Sequence, residues 1–154
     1  MSHEYTYDIS MFRDTFETRF TYLNGFLRNV SRFGSRPALF DPHSGRRWTY
    51  RELNAEANRL AHALRADGVG KNDVVMFTLL NSPEFVFCYL AAHKIGAIAC
   101  PVNYRQGAGE IALVIDDSTP KAFIYDAEFG ELSGGALDLC ESKPAIKIVV
   151  GADD

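Results

Sequence analysis

The chain has 154 residues, of which 47% are hydrophobic and 23% charged, and carries a formal net charge of -4. This is the balance of an ordinary folded domain, and it excludes a disordered chain; no apolar run reaches the ~18 residues that span a bilayer, so no transmembrane segment is expected. The basic clusters Arg46-Arg47 and Arg28, Arg32, Arg36 are too small to reverse the negative total, and without clustered Lys and Arg there is no surface for a nucleic-acid partner.

Residues 1–20 form an arm with two competing patterns. Phe12, Phe16 and Phe20 have helical spacing, while Thr18 to Tyr22 is equally strand-prone. From Leu23 the pattern is plainly helical, with Leu23, Phe26, Leu27, Val30 and Phe33 opposite Arg28, Asn29 and Arg32, and Gly34 as the stop. Pro37 to Phe40 and Arg46 to Thr49 flank Asp41-Pro42-His43-Ser44-Gly45, whose Asp-Pro and Ser-Gly pairs are turn chemistry, so a small β-hairpin is expected. Thr49 followed by Glu52 is a capping box opening the next helix. Leu53, Ala57, Leu60, Ala61 and Leu64 make its inward stripe, and Gly68 ends it.

Asp73 to Leu80 is a nearly unbroken apolar run of strand length, the pattern of a strand covered on both faces. Ser82 is expected to offer its hydroxyl to the first turn of a helix, with Pro83 and Glu84 suited to the first helical positions. Phe85, Cys88, Tyr89, Ala92 and Ile95 share one face, and Gly96 supplies the left-handed stop. Ala97 to Cys100 returns as a strand closed by Pro101, which completes a βαβ unit. Further on, Glu110 to Asp117 reads as a short helix ended by Pro120, Lys121 to Tyr125 as a strand, Ala127 to Cys140 as a weaker helix interrupted at Ser133-Gly134-Gly135, and Ile146 to Val150 as another buried strand. The expected fold is therefore α/β, a mostly parallel sheet with helices on both faces.

Reacting groups are few. Gly68-Val69-Gly70-Lys71 follows a helix and precedes a strand, the reverse of a phosphate-binding loop. His3, His43, His62 and His93 are scattered, His43 in a turn and His62 and His93 on helices without a carboxylate or thiol at ligand spacing, so no metal site is expected. Asp116-Asp117 reads as a solvated helix end, because adjacent helical residues diverge. Cys88, Cys100 and Cys140 read as buried reduced thiols. The start MSHEYTYDIS lacks the basic and apolar segments of a secretory signal, which gives the cytoplasm as the expected compartment. One loop stands out. Pro101-Val102-Asn103-Tyr104-Arg105 leaves the carboxyl end of a strand, the edge where open α/β sheets bind ligands. Two readings of it stay open: Asn103 caps a turn while Arg105 holds a neighbouring carboxylate, or both residues touch a substrate.

Several blocks together resemble a family. Arg36-Pro37-Ala38-Leu39, Trp48-Thr49-Tyr50-Arg51-Glu52-Leu53, Leu90-Ala91-Ala92 with Lys94-Ile95-Gly96-Ala97, Pro101-Val102-Asn103-Tyr104-Arg105 and Ile115-Asp116-Asp117-Ser118 look, in order and spacing, like the N-terminal part of AMP-forming acyl-CoA synthetases. That superfamily also includes luciferases and adenylation domains. The resemblance covers residues 20–150 and implies the N-terminal subdomain of the adenylate-forming fold, incomplete, with residues 21–154 as its partial domain. It implies a two-step ligase in which a carboxylate attacks the α-phosphate of ATP and the thiol of coenzyme A then displaces AMP. ATP, Mg and CoA are implied for a full-length enzyme. The family's phosphate loop falls after the strand matching Lys147 to Val150 and is absent here, so the expectation is a fragment inactive alone that binds none of these cofactors. Asp126-Ala127-Glu128-Phe129-Gly130-Glu131 lacks the basic residues that some members use for coenzyme A. The expected partner is the remainder of the synthetase, or a second copy through exposed apolar faces. The rival expectation is a non-catalytic α/β binding or scaffold module.

Overall fold

The computed structural model describes residues 8–151. The described part of the arm holds a helix, α1 (Ile9–Phe12), running directly into a π-helical stretch (Arg13–Arg19). Asp8 caps it by accepting from Ser10 N at 2.8 Å. Then come α2 (Tyr22–Phe33), the strands β1 (Pro37–Phe40) and β2 (Arg47–Thr49), α3 (Tyr50–Ala66), β3 (Val74–Thr78), α4 (Pro83–Ile95), β4 (Ile98–Pro101), α5 (Ala108–Ser118), β5 (Ala122–Asp126), α6 (Gly130–Leu139) and β6 (Ile146–Val150). β1 and β2 pair antiparallel as the expected hairpin. The other four strands form one sheet in the order β4-β3-β5-β6, every pair parallel.

Alternation along the central strands divides the core in two, because successive side chains of a strand point to opposite faces. Val75 and Phe77 of β3 and Ala122 and Ile124 of β5 pack with Leu64, Cys88, Ala91 and Ala92 under α3 and α4. Met76 and Phe123 face the other way, onto Ile111, Ala112 and Ile115 of α5 and Ala136 of α6. A third cluster, Phe26, Trp48, Leu53, Ala57 and Leu90, seats the hairpin and α2 against α3 and α4. Among the described residues, no helix is long and apolar enough to cross a membrane.

The capping box at α3 is complete. Thr49 N donates to Glu52 Oε2 at 2.8 Å, and Glu52 N donates to Thr49 Oγ1 at 3.3 Å. Thr49→Ala should lower stability by ~1 kcal/mol, read as a fall in the midpoint of urea unfolding. At the other end of the βαβ unit Gly96 has φ +73, the left-handed geometry expected of it.

Five expectations need correction. Ser82 stands at the N-cap of α4, yet its hydroxyl makes no capping bond, and its oxygen is buried without a partner. Ser133-Gly134-Gly135 does not interrupt the helix before Cys140. A 3₁₀ turn (Ala127–Phe129) precedes an unbroken α6, in which a Cβ on Gly135 would lie 3.4 Å from Ala108 Cβ, so the small residue lets α5 and α6 approach closely. β6 is an edge strand with alternating exposure rather than a buried one: Ile146, Ile148 and Val150 are half-buried, while Lys147 and Val149 are exposed. Asp116 is not a solvated helix end. Its Oδ1 accepts from Glu141 N at 2.9 Å and Ser142 N at 2.8 Å, tying the end of α6 to α5. Of the three free thiols Cys88 and Cys140 are buried but Cys100 is only half-buried, and burial pushes the Cys88 thiol up to about 12.

Candidate functional site

The carboxyl edge of the sheet is built from the chain segments that leave it. After Thr78 the chain runs through Leu79, Leu80 and Asn81 to the start of α4. After Pro101 it turns through Val102-Asn103-Tyr104-Arg105-Gln106, and Val102 N is held by Phe77 O at 2.9 Å. Against this edge stands the tip of the hairpin. Asp41 organises that tip, accepting from His43 N at 3.0 Å and from the Ser44 hydroxyl.

Between tip and edge lies a cleft of about 500 Å³, lined by Asp41, His43, Arg46, Asn81, Glu84 and Tyr104 with Trp48 at its floor. A smaller cleft of about 230 Å³ shares Asp41, Asn81, Ser82 and Pro83 and continues between β1 and α4. The Arg46 guanidinium lies 4.6 Å from the Trp48 ring centroid, which holds a cation at the cleft wall. Tyr104 stacks on Phe129 with centroids 4.8 Å apart and planes 6° from parallel.

Asn103 caps its turn, as one of the two readings expects, with Oδ1 accepting from Arg105 N at 3.0 Å. Arg105 does not hold a carboxylate among the described residues; its guanidinium sits 5.7 Å from the Tyr104 ring centroid. Both residues are exposed at the sheet edge. His43, Arg46, Asn81 and Tyr104 are brought together here although no motif joins them in sequence. The signal that could have found Asn81 is the one used for Asn103, a loop at the carboxyl end of a parallel strand. His62 and His93 lie elsewhere, and His93 packs edge-on to Tyr22 and Tyr89. Gly68-Val69-Gly70-Lys71 is a helix-to-strand turn with Val69 buried, its Gly70 N donating to Asp73 Oδ2 at 2.8 Å.

Four carboxylates are held below their usual range, Asp8 by the Ser10 hydroxyl among them. The Ser44 hydroxyl does this for Asp41, Thr49 N for Glu52, and Gly70 N for Asp73, with Lys121 adding to the last. A carboxylate whose folded pKa is depressed contributes stability above its unfolded pKa and loses it as pH falls toward the folded value. Thermal midpoints should therefore fall on acidification below about pH 5. The Glu52→Gln, Asp73→Asn double variant should show a shallower fall, and an unchanged slope would refute the assignment.

The residues of this edge do not fit a nucleoside triphosphate or its metal. The loop entering α4 is Leu79-Leu80-Asn81-Ser82-Pro83, without glycines to surround a phosphate, and the loop after β5 brings Asp126 and Glu128. Among the described residues no three His, Cys, Asp or Glu gather as metal ligands.

The sequence pattern of the family described as AMP-binding enzyme matches residues 26–154. The chain belongs to that family. A 3-hydroxybenzoate--CoA/4-hydroxybenzoate--CoA ligase of Thauera aromatica is 42% identical over 106 residues, which is 69% of this chain and 20% of that protein. The long-chain-fatty-acid--CoA ligase FadD13 of Mycobacterium tuberculosis is 41% identical over 116 residues, 75% of this chain and 23% of that one. Among solved structures, the inhibitor-bound N-terminal domain of FACL13 from Mycobacterium tuberculosis aligns with a TM-score of 0.75 and 31% identity, covering 81% of this chain and 32% of that one. The anthranilate CoA ligase AuaEII in complex with anthranoyl-AMP aligns at 0.77 with 27% identity, over 84% of this chain and 24% of that one. The chain thus spans about a fifth of the length of these curated relatives. The parallel sheet flanked by helices is the fold of this AMP-binding family, and the chain corresponds to the N-terminal portion of its acyl-CoA ligases.

Proposed function

We propose that residues 21–154 serve as part of a cytoplasmic AMP-forming acyl-CoA ligase, with residues 1–20 as an arm, and that this portion does not turn over substrate by itself. The observation that carries the reading is the family match over residues 26–154 together with the sheet's likeness to acyl-CoA ligase structures. The overall reaction would join a carboxylate to ATP as an acyl-adenylate with release of pyrophosphate, and then pass the acyl group to the thiol of coenzyme A with release of AMP. In that enzyme the present residues build and order the sheet, and the Asn103 turn with Arg105 offers a substrate contact at its carboxyl edge. The relatives act on hydroxybenzoates and long-chain fatty acids by name, so those two acid classes are the first to test.

The test is ATP-pyrophosphate exchange with a panel of aromatic and aliphatic carboxylates. It is run on the 154-residue chain and on a chimera that continues it with the remaining length of FadD13. Exchange by the chimera and none by the chain alone is the expected result. Exchange by the chain alone would overturn its inactivity, and an inert, well-folded chimera would overturn the ligase role. Arg105→Ala in the chimera should raise KM for a substrate while leaving the unfolding midpoint unchanged.

A further inference from the structure

Positive charge and exposed apolar surface are concentrated in one stretch of the chain, which the ligase reading does not use. Residues 18–51 hold seven of the sixteen Lys and Arg but one of the twenty Asp and Glu, Asp41, in a chain whose net charge is -4. Eight of the twelve exposed large hydrophobic side chains among the described residues fall within residues 9–40, with Ile9, Met11, Phe20, Leu27 and Phe40 among them. Neither α1 nor the π-helical stretch contains a buried residue. Exposed arginines beside exposed aliphatic and aromatic side chains are the composition of a segment that lies at a membrane interface.

The fold joins these residues into one band. The Phe16 and Phe20 rings lie 5.5 Å apart, and the Arg28 guanidinium sits 5.3 Å from the Phe20 ring centroid. Asn24 Nδ2 donates to Thr18 O at 2.7 Å, which holds the end of the arm on this side of α2. One turn on, Arg32 shares the face of Arg28. The Arg32 and Arg36 guanidiniums then share one ring, 5.4 and 5.3 Å from the Phe33 centroid. Arg51 reaches the same place from α3. Its backbone N donates to Gly34 O at 3.0 Å, and a Cβ on Gly34 would lie 3.3 Å from its Nη2, so the glycine leaves room for the guanidinium. Arg28, Arg32, Arg36 and Arg51 are exposed, and none is in a salt bridge among the described residues. The arm's own charges are already paired, Arg13 with Glu17 and Arg19 with Asp14, so residues 9–20 add apolar surface without net charge. Cations gathered without paired carboxylates repel one another, and the carboxyl end of α2 offsets this only in part.

We propose that this band, from Phe16 along α2 to Arg36 and Arg51, docks peripherally on an anionic lipid bilayer, its guanidiniums on lipid phosphates and its rings at headgroup depth. A nucleic acid would match the charge but leave Ile9, Met11 and Leu27 in water, so the apolar side chains decide for lipid. The test floats the 154-residue protein with vesicles of phosphatidylcholine and phosphatidylglycerol, and with vesicles of phosphatidylcholine alone. Binding should favour the anionic vesicles and fall as salt is added. An arginine near such a surface is worth about fivefold in partitioning, so Arg28→Gln, Arg32→Gln, Arg36→Gln should weaken binding by at least about tenfold. Arg28→Lys, Arg32→Lys, Arg36→Lys keeps the charge and should bind within about threefold of the wild type. Phe16→Ser, Phe20→Ser should weaken binding at every salt concentration, and Arg65→Gln, outside the band, should leave it unchanged. Circular dichroism should be preserved throughout, because the replaced side chains are exposed, and the salt dependence of the unaltered protein tests the charge independently of folding. Equal binding to neutral vesicles, binding indifferent to salt, or a smaller loss in the glutamine variant would overturn the proposal. Retention of polyuridylic acid with no flotation would also overturn it and give this face to nucleic acid.

Discussion

Phe77→Ala should lower the unfolding free energy by about 3–5 kcal/mol, measured by urea denaturation with m unchanged. Phe77 is fully buried at the centre of the sheet. Its ring takes Phe85 and Tyr89 edge-on at 5.1 and 5.3 Å, so truncation empties a cavity and removes two aromatic contacts together. Its neighbours are poorly placed to collapse into the space, because α4 is pinned from both sides. Leu90 belongs to the cluster under the hairpin, and Ala91 and Ala92 press on the sheet. Phe77→Leu, which keeps most of the volume, should cost well under half as much. Equal losses for the two variants would show that the site relaxes and that the cavity account is wrong.

Leu64→Ala comes next, at about 2–5 kcal/mol. Leu64 has no exposed surface and sits in the last turn of α3, where its carbonyl accepts from Val69 N at 2.8 Å. Gly68, the residue before Val69 in this turn, has φ +88, and its carbonyl accepts from Lys121 Nζ at 2.6 Å. The side chain thus lies beneath the junction that delivers the chain into β3. A loss near the upper end, with faster unfolding and little change in folding rate, would place this junction outside the folding nucleus. A loss below 1 kcal/mol would contradict the burial.

Most of the fold was legible because its signals are local. Thr49 and Glu52 announce the start of α3 within four residues, and Gly96 announces the end of α4 by its own backbone geometry. The alternation of apolar runs and capped helices between Asp73 and Val150 is enough to call a parallel sheet. What was not legible depends on partners distant in sequence. Ser82 is a good capping residue by type, but where its hydroxyl points is set by the packing around it. Gly134-Gly135 looks like a break until Ala108 is seen beside Gly135, where a small residue serves helix packing. Asp116 is acidic at a helix end, and only the position of the α6–β6 connection shows that it receives two backbone N-H groups. The half-exposed state of β6 follows from its place in the strand order, which periodicity does not report.

The candidate site divides in the same way. Asn103 and Arg105 could be singled out because a loop at the carboxyl end of a parallel strand is a defined place in any such sheet. The turn-capping role of Asn103 was foreseen, whereas Arg105 resting on Tyr104 in place of a carboxylate was not. His43 and Arg46 reach the cleft because a hairpin some forty residues earlier in the sequence leans on the edge, and Arg46 is steered there by Trp48. No spacing rule links those segments. The family resemblance bridged part of that gap, since it depends on the order of blocks rather than on contacts.

The alternating edge strand carries a consequence for how the chain behaves in concentrated solution. Ile146-Lys147-Ile148-Val149-Val150 is hydrogen-bonded to β5 on one side, and among the described residues no strand pairs with its other side. Four of its five residues are β-branched and apolar, the composition that stacks into intermolecular sheets. Lys147 is the one charge within it, placed on the exposed face, where it acts as a gatekeeper against edge-to-edge stacking of copies. That single ammonium group is the only charge the strand itself sets against stacking along this edge.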